Sequence, residues 1–245
     1  MEGILKSIYE RKNTGRKMLA VLVDPDKFDT EHFPFEDIHQ ADMIFVGSSL
    51  LKDKDCAQTC ISLKERCKLP LILFPGSSFQ ITSHADAILF MSLISGRNPE
   101  YLIGQQITGA PLVKKAGLEV LPTGYILVDS GKLTAAHYIS QSLPIPANKP
   151  EIASVTAMTG EMLGQKIIYM DGGSGAKQAI SDEMIREVAE NISSILVVGG
   201  GIRTPEQAQQ IWSAGADIVV IGSIIEDTPE LLQEFIITRE VMAKA

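Results

Sequence analysis

The chain has 245 residues, of which 45% are hydrophobic and 21% are charged, a composition typical of a globular protein with a sizeable core. Its 30 acidic residues outnumber its 22 basic residues, and the net charge is −8. Because a nucleic-acid binder needs a broad basic surface to release counterions, this balance argues against a nucleic-acid partner. No stretch approaches the ~18 unbroken apolar residues of a transmembrane segment, and the start lacks the apolar run of a signal peptide. We therefore expect a cytoplasmic protein.

Short apolar runs alternate with longer amphipathic stretches along the whole chain. The runs are rich in Val, Ile and Leu with little polar alternation, which is typical of parallel strands buried on both faces. After a short amphipathic helix within Met1–Arg16, the predicted strands are Met18–Val23, Met43–Val46, Pro70–Phe74, Ala87–Met91, Gly124–Val128, Lys166–Met170, Ile195–Val198 and Asp217–Ile221.

Helix signals fill most of the intervals between these strands. The predicted helices are Asp55–Cys67, a helix from Asn98 towards Lys115, Glu151–Gly164, Ser181–Asn191, one capped by Thr204 with Pro205 at its first position, and one begun in the same way by Thr228 and Pro229. Two intervals are irregular. Gly76–Ala85 is too short and polar for a full helix, and Leu133–Pro150 is predicted to be a long proline-containing loop.

The repeated strand–helix pattern predicts the α/β class and a parallel sheet with right-handed crossovers. Eight strands in about 250 residues favour a (β/α)8 TIM barrel, with an abbreviated third crossover at Gly76–Ala85. We expect one domain over residues 1–245. An open doubly wound sheet would require a G-x-G-x-x-G turn after the first strand, and that position holds Asp24–Lys27 instead.

The ends of the last three predicted strands are rich in glycine. In this fold the active site is built from the loops after the strands, and the loops after strands 7 and 8 are the usual phosphate site. Glycine lets the backbone approach an anion closely, and successive N–H groups form an anion-binding nest. One such turn could serve chain reversal alone, but three in consecutive strands predict a phosphate site at Asp171–Gly175, Gly199–Thr204 and Gly222–Ser223.

The other polar residues allow fewer conclusions. Asp24 and Asp26 could be metal ligands, a helix cap or turn residues, and carboxylate oxygens would suit Mg²⁺. The four histidines show no ligand spacing, so each is expected to be structural or exposed. We expect Cys56, Cys60 and Cys67 to lie on a packing face rather than in a metal site or a disulfide.

Taken together, these motifs resemble one enzyme family. The segments Leu22–Lys27, Phe45–Ser49, Leu73–Ser77, Tyr169–Gly175, Gly199–Arg203 and Ile221–Ser223 are similar, in order, to motifs of the geranylgeranylglyceryl phosphate synthases, including the heptaprenylglyceryl phosphate synthases. The resemblance implies a prenyltransferase that joins a polyprenyl diphosphate, most often geranylgeranyl diphosphate, to the C3 hydroxyl of sn-glycerol 1-phosphate. It also implies Mg²⁺ dependence, a role in ether phospholipid biosynthesis and a homo-oligomer.

The resemblance also implies roles for particular residues. Asp24 and Ser49 would contribute to the Mg²⁺ site, and Asp171 would orient the acceptor hydroxyl and take its proton. Asp171 stands where the family more often has glutamate, and Ser223 where asparagine is common. The residues implied to bind glycerol 1-phosphate are Tyr169, Met170, Asp171, Gly172, Gly173, Ser174, Gly175, Gly200, Gly201, Gly222 and Ser223.

Two other hypotheses fit the same phosphate loops. One is a barrel isomerase or lyase of sugar-phosphate or amino-acid biosynthesis, with Asp24 and Asp129 as an acid/base pair across the barrel mouth. The other is a non-catalytic phosphate binder. For the prenyltransferase, we expect the abbreviated third crossover to open an apolar trench in the barrel wall, while the sequence leaves the prenyl chain length undetermined.

Overall fold

The structure, a computed structural model, describes residues 3–242, and within this range eight parallel strands close into a barrel in chain order. The last strand pairs with the first, for example Ala20 with Val220. This confirms the predicted α/β class and the (β/α)8 barrel. The strands are β1 (Met18–Val23), β2 (Met43–Val46), β3 (Leu71–Leu73), β4 (Ala87–Leu93), β5 (Glu119–Leu127), β6 (Ile167–Asp171), β7 (Ile195–Gly199) and β8 (Ile218–Ile221).

Helices occupy most of the connections and surround the barrel. They are α1 (Ile4–Asn13), α2 (Phe35–Ile38), α3 (Cys56–Arg66), α4 (Gln105–Ala116), α5 (Ala135–Ser140), α6 (Pro150–Met162), α7 (Asp182–Ala189), α8 (Pro205–Ser213), α9 (Ser223–Asp227) and α10 (Leu231–Met242). Helix α1 packs on the end where the strands begin, with Ile8 buried against the inner side chains. We call this end the lower end and the opposite end the mouth.

Alternation along the strands separates two layers of core. In β6, Ile167 and Tyr169 point into the barrel, where they pack with inner residues of the other strands. Ile168 and Met170 point outward into the layer between the sheet and the helices. The same alternation places Asp171, the last residue of β6, on the inner side at the mouth. Asp171 lies two residues after Tyr169, the last inner residue packed inside the barrel, and its side chain therefore faces the mouth.

The third crossover is abbreviated, as predicted. Between β3 and β4 the described chain contains only a three-residue 3-10 turn, Ser78–Gln80, in place of a helix. In the part of the chain that the structure describes, no helix of the third crossover covers the outer face of this part of the sheet, and α4 and α5 flank it instead.

Several boundaries differ from the sequence prediction. The predicted loop Leu133–Pro150 contains α5, and β5 begins at Glu119, with Pro122 inside it. The helix predicted to start with Thr228 and Pro229 is α10, which begins two residues later, at Leu231, after a turn in which Thr228 O accepts a hydrogen bond from Leu231 N. The single domain over residues 1–245 stays a prediction, since residues 1–2 and 243–245, including the start of the helix predicted within Met1–Arg16, lie outside the described residues.

The cysteine prediction agrees with the structure. Cys56, Cys60 and Cys67 are buried free thiols on or next to α3. Burial raises the pKa of Cys56 and of Cys60 to about 12, so both stay protonated and unreactive at neutral pH. Within residues 3–242, no helix combines the length and apolar character needed to cross a membrane.

Candidate active site

Loops at the ends of the strands enclose a pocket in the barrel mouth, which we call the mouth pocket. The loops after β6, β7 and β8 form one side, and the loop after β2 forms another. This arrangement follows from the barrel, because all eight strands end at the same face. The predicted site residues that line the mouth pocket are Ser49, Tyr169, Asp171, Gly173, Ser174, Gly175, Gly200, Gly201, Gly222 and Ser223.

Glycines shape the side of the mouth pocket formed by β6 and β7. The backbones of Gly173, Gly175, Gly200 and Gly201 are left-handed, with φ of 83°, 69°, 86° and 74°. At Gly200, an added Cβ would lie 2.7 Å from Oδ1 of Asp171. Only glycine therefore allows these loops to approach each other so closely. Consecutive left-handed and extended turns of this kind direct backbone N–H groups towards a bound anion.

Basic side chains stand at the rim of these loops, although the chain is acidic overall. Arg203 lines the mouth pocket, and its guanidinium donates to Ala176 O at 2.9 Å. Lys132 Nζ would lie 3.4 Å from a Cβ at Gly175. Arg203 lies within the predicted phosphate segment Gly199–Thr204 but was not among the residues implied to bind glycerol 1-phosphate, and Lys132 was not predicted. Their charges favour an anion in this half of the pocket.

Asp171 is the buried carboxylate of the mouth pocket, with 7% of its surface exposed. Its Oδ1 accepts a hydrogen bond from Gly173 N at 2.7 Å, and its Oδ2 accepts one from Tyr125 Oη at 2.5 Å. Burial raises the pKa of Asp171, while the bonds from Tyr125 and Gly173 act in the opposite direction. A carboxylate with a raised pKa and no cation bonded to it is suited to accept a proton.

Tyr125 is a site residue that the sequence prediction missed. It lies within β5 and resembles an ordinary apolar strand residue in the sequence. Its position two residues after the inward-facing Thr123 is the signal that could have identified it. Its ring packs on Phe74 and Tyr169, with centroid distances of 5.8 and 5.5 Å. Burial raises the pKa of Tyr125 well above its usual value, so the phenol remains a donor to Asp171.

The predicted metal residues lie on the opposite side of the mouth. Asp24 Oδ2 accepts a hydrogen bond from Ser48 Oγ at 3.0 Å, so Ser48 as well as the predicted Ser49 belongs to this region. Asp26 is a structural residue, because its carboxylate accepts bonds from the backbone N–H groups of Lys52, Asp53 and Lys54.

The donors around Asp24 fit a magnesium ion that is held mainly by its substrate. Within residues 3–242, no three or more His, Cys, Asp or Glu side chains are arranged so that they could hold a metal ion on their own. Asp24 is a half-buried carboxylate, and Ser48 and Ser49 are partly exposed. Such hard oxygen donors suit Mg²⁺, which usually binds one or two carboxylates and completes its shell with water and phosphate oxygens.

An apolar groove lies beside the mouth pocket, and we call it the side groove. The abbreviated third crossover forms one wall, and α4 and α5 form the others. Ser48, Ser49, Phe74, Tyr125 and Ala136 line both the side groove and the mouth pocket, so the two are adjacent. The remaining lining residues include Pro75, Gly76, Ser78, Ile81, Ile88, Phe90, Leu93, Tyr101, Gln105, Gln106, Gly109, Leu127 and Ile139.

Four residues of the hypotheses do not line the mouth pocket. Asp24 lines a neighbouring cavity between the ends of β1 and β8. Met170 is fully buried, and its side chain packs in the outer core layer. Gly172 is buried behind the loop surface, where its N–H donates to Gly199 O. Asp129, proposed for the isomerase or lyase, is exposed and accepts a hydrogen bond from Gly131 N within its own loop. The structure therefore gives the acid/base pair of that alternative no support.

Comparisons with a protein-family model, with known sequences and with solved structures all point to one group of enzymes. The model of the PcrB family matches residues 12–239. Geranylgeranylglyceryl phosphate synthase of Chitinophaga pinensis is 46% identical over 237 residues, covering 94% of this chain and 93% of that protein. The enzyme of the same name from Methanothermobacter marburgensis is 41% identical over 221 residues, covering 87% and 88%.

A solved structure of high similarity covers the chain from end to end. It is the crystal structure of (S)-3-O-geranylgeranylglyceryl phosphate synthase from Thermoplasma acidophilum in complex with substrate sn-glycerol-1-phosphate. The TM-score is 0.90, the sequence identity is 28%, and 100% of each chain is covered. The fold is therefore shared with that enzyme over the whole chain.

Proposed function

The chain belongs to the PcrB family, and from this premise we propose that it is a prenyltransferase that joins a polyprenyl diphosphate to the C3 hydroxyl of sn-glycerol 1-phosphate. The product is an ether, and the preferred donor is geranylgeranyl diphosphate. The reaction depends on Mg²⁺ and belongs to ether phospholipid biosynthesis. A cytoplasmic location and a homo-oligomer are parts of the same proposal that come from the sequence and the family resemblance.

One observation supports this function best. The glycine-lined mouth pocket and the apolar side groove meet where Tyr125 bonds the buried carboxylate of Asp171. An enzyme that joins a small phosphate ester to a long hydrocarbon needs an anion site and an apolar channel that meet at a proton acceptor. A generic phosphate-binding barrel requires only the anion site.

The acceptor would bind on the side formed by β6, β7 and β8. Its phosphate would lie against the loops of Gly173, Gly200 and Gly222, near the cationic rim of Arg203. Fixing the phosphate there would carry the C3 hydroxyl towards Asp171, which is the positioning contribution to catalysis. Asp171 then orients the hydroxyl and takes its proton as the oxygen attacks.

The donor would bind across the mouth, with its diphosphate near Asp24 and Ser49 and its tail in the side groove. When bound, Mg²⁺ neutralises the charge of the diphosphate and makes it a better leaving group. The bond between C1 of the prenyl group and the diphosphate oxygen breaks, and its electron pair leaves with the diphosphate. The C3 oxygen of the acceptor forms the new bond to C1. The apolar walls around Phe74 exclude water that would otherwise capture the prenyl group.

Product analysis with defined donors tests this proposal. The purified chain is incubated with Mg²⁺, sn-glycerol 1-phosphate and an equimolar mixture of C10 to C35 polyprenyl diphosphates, and the products are identified by mass spectrometry. We expect a prenylglyceryl phosphate ether with the C20 product dominant, and no ether after chelation of Mg²⁺. The absence of ether from every donor would contradict the prenyltransferase, and dominance of another chain length would contradict only the choice of donor.

A further inference from the structure

The abbreviated third crossover contacts the loop that follows β2. Gln80, the last residue of the 3-10 turn, is buried, with 5% of its surface exposed. Its Nε2 donates to Ser48 O at 2.7 Å, and its Oε1 accepts from Ser48 N at 3.3 Å. Both ends of one buried amide are therefore used on the backbone of one residue, which fixes that peptide as a strand partner would.

Backbone contacts on either side leave the same loop little freedom. A Cβ at Gly47 would lie 1.9 Å from Phe74 O, and a Cβ at Gly76 would lie 2.4 Å from Ser48 O. The loop after β2 and the start of the crossover are thus in direct backbone contact. The position of Ser48 and Ser49 is set by the crossover as well as by their own strand.

The fixed residue is the one that bonds the predicted metal carboxylate. Ser48 Oγ donates to Asp24 Oδ2, so Gln80, Ser48 and Asp24 form a continuous hydrogen-bonded series. Ser78, the first residue of the same turn, and Ile81, which follows it, line the side groove. One short turn therefore touches the wall of the proposed tail site and the loop of the proposed diphosphate site.

We propose that Gln80 is a positioning residue that holds Ser48 and Ser49 beside Asp24 for the diphosphate of the donor. The inference rests on the proposed function and adds a residue that neither the family motifs nor the sequence prediction included. Gln80 acts through Ser48 and does not touch the reacting atoms. Loss of the Gln80 side chain releases the loop after β2, whereas the glycine loops that bind the acceptor keep their positions.

Calorimetric titration of the full-length chain separates the two half-sites. One titration uses inorganic diphosphate with saturating Mg²⁺, and the other uses sn-glycerol 1-phosphate. For Gln80→Met, which keeps the length and loses both hydrogen bonds, we expect about tenfold weaker binding of diphosphate, the effect of leaving buried peptide groups unpaired. Binding of glycerol 1-phosphate should stay within about twofold. In the steady state, KM for the prenyl diphosphate should rise about tenfold and KM for the acceptor should not change.

The matched control is Gln165→Met, which changes a half-buried glutamine two residues before β6, at the lower end. It should leave both titrations as in the wild type. If Gln80→Met does not fold, Ser48→Ala breaks the same series at a partly exposed position and should weaken diphosphate binding alone, while Ser48→Thr restores it.

Two results would overturn the inference. In the first, Gln80→Met and Ser48→Ala bind diphosphate as tightly as the wild type does. In the second, both variants bind diphosphate and glycerol 1-phosphate more weakly by the same factor, which would indicate a general structural role. A wild-type chain that neither binds Mg²⁺ diphosphate nor forms an ether would instead overturn the proposed function, and the inference with it.

Discussion

Two buried aspartates, at opposite ends of the barrel, are held in opposite ways. Asp42, just before β2 at the lower end, is bonded to the guanidinium groups of Arg11, Arg16 and Arg239 and to the N–H of Leu19. Among the described residues, the hydrogen-bond donors to Asp171, at the mouth, are one phenol and one peptide N–H. The lower carboxylate is neutralised by cations, whereas the upper one receives hydrogen bonds from neutral groups.

The difference shows where this fold separates stability from chemistry. Asp42 is held in a cluster of structural ion pairs, and Lys12 pairs in the same way with Asp217, just before β8, at 2.7 Å. Asp171 is buried without a bonded cation, and this burial raises its pKa. Its charged form is therefore destabilised, and uptake of a proton is favoured. A barrel tolerates this cost at the mouth because the lower end and the two core layers stabilise the whole.

The largest expected effect is on the upper carboxylate. Asp171→Asn keeps the shape of the side chain and removes the proton acceptor. We expect kcat for ether formation to fall by about 10²–10⁴-fold, the usual contribution of a general base. Rates of product formation at saturating substrates measure it. Turnover within about threefold of the wild type would mean that another group takes the proton.

The same variant separates function from stability. Since burial raises the folded-state pKa of Asp171 above its unfolded value, the wild type loses stability as the pH rises through the unfolded pKa, and the loss is complete above the folded pKa. Asp171→Asn should therefore equal or exceed the wild type in free energy of unfolding at pH 7. The advantage should disappear as the pH falls towards ~4, where the unfolded carboxyl is also protonated. Urea unfolding at a series of pH values tests this, and a variant that is less stable at pH 7 would contradict it.

The lower carboxylate should show the reverse behaviour. Asp42→Ala leaves the buried guanidinium of Arg239 without its partner, and breaking a buried ion pair from one side costs about 3–5 kcal/mol. We expect that loss in the free energy of unfolding, measured in urea. At 15 °C, where the variant remains folded, kcat should be unchanged. A catalytic defect without a loss of stability would show that the two ends are coupled.

The framework of the fold was predictable from sequence because its signals are local. The bounds of β1 and β2 agree with the prediction, since strands buried on both faces appear as unbroken apolar runs. Short helices were not predictable in this way. Helix α5 has six residues and α9 has five, too few to show a helical period. Pro122 lies within β5, where a proline argues against a strand, and the predicted start was five residues late.

The candidate site divides along the same line. Residues in glycine-rich loops were found because their chemistry is visible in the sequence itself, and Asp171 directly follows the predicted strand Lys166–Met170. Tyr125 and Gln80 were missed because their roles arise from contacts between distant segments. Tyr125 reaches Asp171 across 46 positions in the chain, and Gln80 reaches Ser48 across 32. A single sequence gives no direct signal for such pairs. The one indirect signal is the alternation of inner and outer residues, followed to the end of every strand.

A smaller effect is expected when only the donor to Asp171 is removed. Tyr125→Phe takes away a hydrogen bond that stabilises the charged carboxylate, so the pKa of Asp171 should rise further. The acid limb of the kcat/KM profile should move to higher pH, with a rate about tenfold lower at pH 7, as for the loss of one bond to a charged group. The matched control is Tyr9→Phe, which removes a hydroxyl that donates to Lys166 O near the lower end. That variant should keep the wild-type profile, and an unshifted profile in Tyr125→Phe would contradict the role given to Tyr125.

The smallest effect tests whether burial, rather than the number of ion pairs, makes the lower end strong. Arg16 lies 3.3 Å from Asp42, but its side chain is 49% exposed, whereas that of Arg239 is 7% exposed. Because water and salt screen an exposed pair, Arg16→Ala should lower the free energy of unfolding by less than about 1 kcal/mol, and less still in 0.5 M NaCl. Arg239→Ala should cost several times more and respond little to salt, because its partner remains buried. Equal losses in the two variants would mean that Asp42 depends on total positive charge, and the contrast with Asp171 would then concern charge alone and not the dry environment around it.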